Sequence, residues 1–198
     1  MSRCLGIIAI FFICEIQFAT AQPGKVVKWV VEKNSIIRVQ GRSNVNSFTC
    51  NTSEYAKKDT IFCYQGFSKS IKFTGEIQMD ILSFNCHSSM ITAGLRNTLK
   101  ADKYPQMIIR FISLQYMPFF QNKIEVIKGL VEVQLAGVVK RFELDYSFLQ
   151  SGSDNIQLNG RRSFRFSDFK LSPPQKFAGL IKIKDDFDVH FHLTLRTI

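Results

Sequence analysis

Several segments of this chain alternate apolar and charged residues with a period of two, and no other feature limits its fold as much. Arg141–Phe148 has an apolar side chain at every even position, and Val189–Arg196 has one at every odd position. Shorter alternations surround Arg165 and Lys182. Because successive side chains of a β-strand point to opposite faces, these segments are predicted strands with one buried and one solvated face.

The rest of the chain continues this pattern and adds one predicted helix, Met90–Leu99, before the turn that ends at Tyr104-Pro105. A phase slip near Val126-Ile127 predicts a β-bulge. About eight strands in hairpin order predict an all-β fold, an antiparallel barrel of about eight strands with one short helix. The further predicted strands are Ser35–Ser43, Val45–Cys50, Ile71–Leu82, Ile124–Leu135 and Gly179–Lys184.

The charges on the polar faces distinguish two kinds of barrel. An outer-membrane barrel is apolar outside and polar inside. Here the polar faces carry full charges, such as Arg141, Glu143 and Lys182, which would have to pack into a narrow lumen. The pattern therefore favours a soluble barrel with an apolar interior over membrane insertion.

The first 21 residues have the features of a secretory signal peptide. Arg3 precedes the apolar run Leu5–Ile13, and Ala19-Thr20-Ala21 provides the small residues of a cleavage site. Cleavage near Ala21 leaves one domain, residues 22–198, in the periplasm or outside the cell. Lipid attachment at Cys14 is a weaker alternative, and the apolar run is too short for a membrane anchor.

The formal net charge is +10, but the basic residues are scattered along the chain. No stripe of basic residues alternates with stacking aromatics, and export also argues against nucleic acid as a partner. Peripheral attraction to anionic lipid headgroups stays open. The sequence does not indicate an oligomeric state.

Residues that could support catalysis or metal binding have simpler explanations. His190 and His192 share one strand face, and Asp185, Asp186 and Asp188 are assigned to a charged turn between two predicted strands. The spacing of the two histidines is compatible with a metal, but a solvated outer face of the last strand is the simpler explanation. The aspartates lack the spacing of a calcium site. No nucleophile, base and oxyanion donor can be assembled, so we predict no enzyme, no metal and no cofactor.

Three cysteines follow the predicted signal peptide: Cys50, Cys63 and Cys86. An odd number in an oxidising compartment predicts one disulfide and one free thiol. The residues alone do not identify the bonded pair.

The segment from the helix to the later strands resembles the YceI-like family of lipid-binding β-barrels, over about Trp29 to Arg196. The order and spacing of the matching residues carry this resemblance: Leu99, Tyr104-Pro105, Ile109, Phe111, Gly129, Gly137, Lys140 and Leu144. The resemblance implies a lipocalin-like barrel and a disulfide between Cys50 and Cys86. It also implies an apolar channel that holds a polyisoprenoid or isoprenoid quinone. Tyr55–Phe67 has no clear counterpart and is interpreted as an inserted loop or lid.

The inward parity of the later strands predicts which residues would line such a channel. Tyr146 is the one member with a hydroxyl, and a backbone partner for it is favoured over a ligand headgroup. The predicted function is exported, non-enzymatic binding of a long apolar lipid. The alternative is a packed barrel that acts through its basic surface at an anionic membrane or a protein. The predicted lining residues are Phe142, Leu144, Tyr146, Phe148, Phe164, Phe166, Phe191 and Leu193.

Overall fold

The computed structural model describes residues 26–64, 71–118, 124–176 and 180–198. The predicted signal peptide lies outside these residues. The helix α1 spans Ser89–Thr98, and short 3-10 turns span Ile81–Ser83 and Phe166–Phe169. The strands are β1 Val26–Val31, β2 Ile36–Ser43, β3 Ser47–Asn51, β4 Thr60–Tyr64, β5 Ile71–Asp80, β6 Gln106–Leu114, β7 Glu125–Leu135, β8 Val138–Gln150, β9 Asn155–Arg165, β10 Gln175–Lys176 and β11 Ile181–Thr197.

Eight of these strands close into an antiparallel barrel in the order β1-β4-β5-β6-β7-β8-β9-β11. The 17-residue strand β11 closes it. One side of β11 pairs with β9, and the other side pairs with β2 and then, near the end of the chain, with β1. The predicted all-β class, antiparallel barrel and single α-helix are confirmed within the described residues.

The predicted charged turn between Gly179–Lys184 and Val189–Arg196 is wrong. Strand β11 runs through Asp185, Asp186 and Asp188 without a turn, with an irregular register between Ile183 and Phe187 on the side that faces β2. Partners on β9, β2 and the Phe166–Phe169 turn satisfy these carboxylates. A local charge cluster therefore does not end the strand.

Two further strand predictions are corrected. The register of β7 against β8 is continuous through Val126-Ile127, where no bulge forms. Val126 is an exposed apolar residue on an outward position, which produces the apparent phase slip. The segment Tyr55–Phe67 is not simply a loop, because Thr60–Tyr64 forms β4 between β1 and β5. Residues 65–67 lie outside the described part of the chain.

Strand β8 shows how the barrel separates its two faces. Its even positions from Phe142 to Phe148 are buried, and Glu143 and Asp145 between them are exposed. Outward charges pair across neighbouring strands, as Lys128 Nζ does with Glu143 Oε1 at 2.8 Å. The predicted distinction between inside and outside is therefore confirmed for this strand.

Cys50 and Cys86 form a disulfide, as the resemblance implied. Cys50 lies on β3, and Cys86 lies just before α1, so the bond attaches the start of the helix to the barrel. Thr92 Oγ1 accepts a hydrogen bond from the Cys86 amide at 3.1 Å and holds the same junction. Cys63 is a buried free thiol, and burial raises its pKa to about 12.

The double variant Cys50→Ala/Cys86→Ala is expected to lose roughly 3–4 kcal/mol of unfolding free energy, because the bond closes a long loop in the unfolded chain. Urea unfolding followed by circular dichroism measures the loss. The control uses a reductant, which should destabilise the wild type by a similar amount and leave the double variant unchanged. Equal stability of the oxidised wild type and the double variant would contradict the stabilising role.

Candidate functional site

The structure buries all eight residues that were predicted to line a channel. Each is less than one-tenth exposed, but they lie in different parts of the interior. Leu144, Phe164 and Phe191 line an inner cavity, and Phe166 lies further towards the helix. The other four, none of which lines an apolar cavity described below, are Phe142, Tyr146, Phe148 and Leu193.

Aromatic side chains fill the end of the barrel that lies near β1. Ring centroids are 4.9 Å apart for Phe73 and Phe111 and 6.0 Å apart for Trp29 and Phe73. Tyr146 lies 6.0 Å from Phe73 and 6.3 Å from Phe148, so the rings pack as one cluster. We call Trp29, Phe73, Phe111, Tyr146 and Phe148 the aromatic plug.

Two glycines let large rings lie close to the barrel wall. A Cβ atom at Gly129 would overlap the ring of Tyr146, and a Cβ atom at Gly160 would overlap the ring of Phe191. Any larger residue at these positions would push the rings inward. The glycines therefore set how far the plug and the neighbouring Phe191 extend into the interior.

Beyond the plug, three apolar cavities follow one another towards α1. The inner and middle cavities have volumes of about 40 Å³ each, and only apolar side chains line them. The outer cavity has a volume of about 120 Å³. The residues that line the inner cavity are Met107, Ile109, Val131, Val133, Leu135, Leu144, Phe164, Phe169, Phe187, Val189 and Phe191.

Shared walls make these cavities neighbours. Met107, Phe187 and Val189 line both the inner and the middle cavity. Leu95 of α1 and Phe166 line both the middle and the outer cavity, so these two cavities adjoin there. The three cavities therefore follow a single apolar path from the barrel interior to the space beneath the helix.

The outer cavity forms the mouth of this path. It lies between α1, the β2–β3 hairpin and the start of β11, which contribute Ile91, Phe48 and Ile183. The side chains of Asn46 and Thr98 add polar atoms at its edge. We use the word mouth for this opening and its lining residues.

Sequence reasoning missed part of the inner wall. Val131, Val133 and Leu135 alternate on β7 and could have been found by the same parity argument. Phe187 was hidden by the wrong assignment of a turn at Asp185–Asp188, which removed it from the strand. Phe169 follows β9 in a 3-10 turn, where a period of two does not apply.

The carboxylates of β11 are engaged on the outer surface. Arg42 Nη2 donates to Asp186 Oδ2 at 2.7 Å, and this hydrogen bond holds the pKa of Asp186 below its usual value. Ser167 Oγ donates to Asp185 Oδ2 at 2.6 Å, and Ser163 donates to Asp188. No group of three histidine, cysteine or acidic residues within the described ranges is placed to hold a metal ion.

Tyr146 carries a feature that packing alone does not explain. Its hydroxyl is buried and has no hydrogen-bond partner among the described residues, and burial raises its pKa. The predicted backbone partner is therefore absent from the described structure.

Comparison with known proteins matches this architecture to solved barrels. No family model matches the chain, and no curated protein does either. A polyisoprenoid binding domain from Saccharophagus degradans aligns over 88% of this chain and all of its own, with 11% identity and a TM-score of 0.61. BcnA from Burkholderia cenocepacia aligns over 81% of this chain and 95% of its own, with 15% identity and a TM-score of 0.60.

This chain has a YceI-like barrel fold. The resemblance seen in the sequence is thereby confirmed at the level of the fold. A YceI-like fold fixes the barrel and its apolar interior, whereas the ligand and the roles of individual residues need their own evidence.

Replacing Tyr146 by Phe is expected to raise the free energy of unfolding by about 1 kcal/mol, because an unpaired buried hydroxyl costs roughly 1–3 kcal/mol. The matched control is Tyr55→Phe, since Tyr55 is also buried but donates its hydroxyl proton to Asp59. In urea unfolding, Tyr146→Phe should have a higher free energy of unfolding than the wild type, and Tyr55→Phe should have a lower one. Destabilisation by both changes would mean that Tyr146 has a partner.

Proposed function

We propose that this protein is an exported, non-enzymatic carrier that holds a long apolar lipid of the polyisoprenoid or isoprenoid quinone type inside its barrel. One observation carries the proposal: a path of apolar cavities leads from the mouth into the barrel. The solved domain from Saccharophagus degradans with this fold is described as polyisoprenoid binding. That description supports the same class of ligand here.

The chemistry of the path suits a hydrocarbon chain. Each CH₂ group removed from water contributes about 0.8 kcal/mol and needs no directional partner. The inner and middle cavities offer no polar side chain that could act on a substrate. Binding by shape and burial therefore accounts for the site better than catalysis does.

The size of the cavities shows what must move when a lipid binds. The largest of the three apolar cavities has a volume of about 120 Å³, whereas ligand sites commonly measure about 300–1,000 Å³. Rotation of Phe166 and Leu95 away from their shared wall would join the outer and middle cavities. We therefore propose that the bound lipid pushes these two side chains aside and that its chain ends at the aromatic plug.

The covalent structure supports export. Disulfides persist in oxidising compartments, which include the periplasm and the extracellular space. The Cys50–Cys86 bond agrees with such a location and with the signal peptide predicted for residues 1–21. Among the described residues, no helix has the length and hydropathy to cross a bilayer.

The aromatic plug also supports a second candidate function, in which the barrel is packed and the protein acts through its surface. It fills one end of the barrel with closely packed rings, as a barrel without a ligand would. In that case the protein is an interaction module, and its basic surface binds an anionic membrane or a protein. The two functions differ in whether the mouth admits a chain.

Mass spectrometry of organic extracts from the mature protein, purified without detergent, is expected to detect a stoichiometric apolar lipid. Protein stripped of lipid should then bind a long-chain ubiquinone. The sole tryptophan, Trp29, lies in the plug and should report binding through fluorescence quenching. An empty barrel that also gives no quenching would favour the interaction module.

A tryptophan at Leu144 is expected to block the inner cavity and abolish lipid binding, because Leu144 lines that cavity. The larger ring should also cost about 1–3 kcal/mol of stability. The matched control is Glu143→Trp on the exposed side of the same strand. This variant should keep the lipid binding and the stability of the wild type. A folded Leu144→Trp variant that binds ubiquinone as the wild type does would place the lipid elsewhere.

A further inference from the structure

Three exposed aliphatic side chains surround the mouth. Val45 is 64% exposed, Met90 is 51% exposed and Leu180 is 76% exposed. Val45 lies in the turn between β2 and β3, Met90 lies in the first turn of α1, and Leu180 immediately precedes β11. Each residue lines the outer cavity or is next in sequence to one that does.

Hydrogen bonds join two of these segments into one rim. Asn44 Nδ2 donates to the Leu180 carbonyl at 2.9 Å, and Asn44 Oδ1 accepts from the Lys182 amide at 2.9 Å. These bonds fix the β2–β3 turn against the start of β11. We call Val45, Met90 and Leu180 the apolar rim.

Positive charge accompanies the apolar rim. Ile181 and Ile183 line the mouth, and Lys182 and Lys184 alternate with them and are exposed on the opposite face of β11. Lys184 lies near enough to Asp186 to help lower the pKa of that carboxyl, whose hydrogen bond goes to Arg42. No hydrogen bond or ion pair among the described residues holds either ammonium group.

We propose that the apolar rim and these two lysines form a peripheral docking surface for an anionic phospholipid bilayer. The three aliphatic side chains enter the interfacial region of the bilayer, and the lysines contact lipid phosphates. Docking places the mouth against the acyl chains. On the function proposed above, a lipid then passes between bilayer and barrel without exposing its chain to water.

The composition of this surface favours a bilayer over a protein partner. Protein interfaces are enriched in tyrosine, tryptophan and arginine and depleted in lysine. The rim instead combines isolated aliphatic side chains with lysines that need no fixed geometry. Ile124 and Val126 are also exposed, but they lie at the start of β7, and neither lines the mouth. They provide a control surface of similar hydrophobicity.

Sedimentation with vesicles of phosphatidylcholine and phosphatidylglycerol tests the docking surface. The mature wild type should bind these vesicles and leave vesicles of phosphatidylcholine alone largely unbound. Val45→Asp/Leu180→Asp should lower the partition coefficient about tenfold or more. The matched control, Val126→Asp, removes an aliphatic side chain that is 60% exposed and should bind as the wild type does.

The charge contribution has its own test. Lys182→Gln and Lys184→Gln should each weaken binding about fivefold at low ionic strength, since one lysine near an anionic surface contributes about that factor. Lys33→Gln and Lys58→Gln are controls, because these exposed lysines lie in loops before β2 and β4 and not at the mouth. Thermal unfolding should show that all variants remain folded.

The outcomes separate this inference from the proposed function. Quenching of Trp29 by ubiquinone should persist in the rim variants, because their substitutions leave the inner cavity unchanged. Wild type that quenches but does not bind anionic vesicles would overturn the docking surface alone. Vesicle binding without quenching would support the docking surface and contradict the carrier function. Equal losses in Val126→Asp and Val45→Asp/Leu180→Asp would also overturn the docking surface.

Discussion

Backbone pairing of β11 on both of its sides is the constraint on which the structure depends. A sheet that ends in an open edge leaves a row of unpaired amide and carbonyl groups, and closure into a barrel removes that edge. Here β11 pairs with β9 over eleven positions, while β2 and β1 share its other side. The irregular register between Ile183 and Phe187 lies where the strand passes from the mouth into the barrel proper. Closure therefore creates the enclosed interior and also positions the segment that forms one wall of its opening.

The two ends of the barrel interior differ: rings fill one end, and the other end opens at the mouth. The aromatic plug fills one end with packed rings, and Gly129 lets the ring of Tyr146 lie close to the wall. At the other end, α1 lies beside the opening. Only Gly94 and Leu95 of this helix are fully buried. Because few of its residues are fully buried, its bonds to the rest of the chain also help to hold the helix in place. The Cys50–Cys86 bond and the Thr92 hydrogen bond fix its start. The helix can therefore form one wall of a mouth without filling it.

The path through the barrel combines an apolar interior with a charged exterior on the same strands. On β11, Ile183 lines the mouth, and the carboxylate of Asp186 pairs with Arg42 on the outer surface. Such exposed pairs contribute little stability individually, but they let charged residues continue a strand that the local sequence would interrupt. A period of two thus serves three purposes: it directs apolar side chains inward, keeps the exterior hydrated, and leaves Lys182 and Lys184 beside the opening.

The sequence by itself determined the fold class, the approximate number of strands and the inward parity of residues such as Leu144 and Phe191, because side-chain direction in a strand follows directly from position. It also limited the cysteines to one bond and one free thiol, and the family resemblance supplied the pair. Only the tertiary structure decided which buried residues line cavities and which form the plug, because parity does not specify depth along a barrel. It also decided that Asp185 and its neighbours lie within a strand, since their partners come from distant segments. The position of the mouth likewise depends on how α1, the β2–β3 hairpin and β11 come together, and no local pattern records that arrangement.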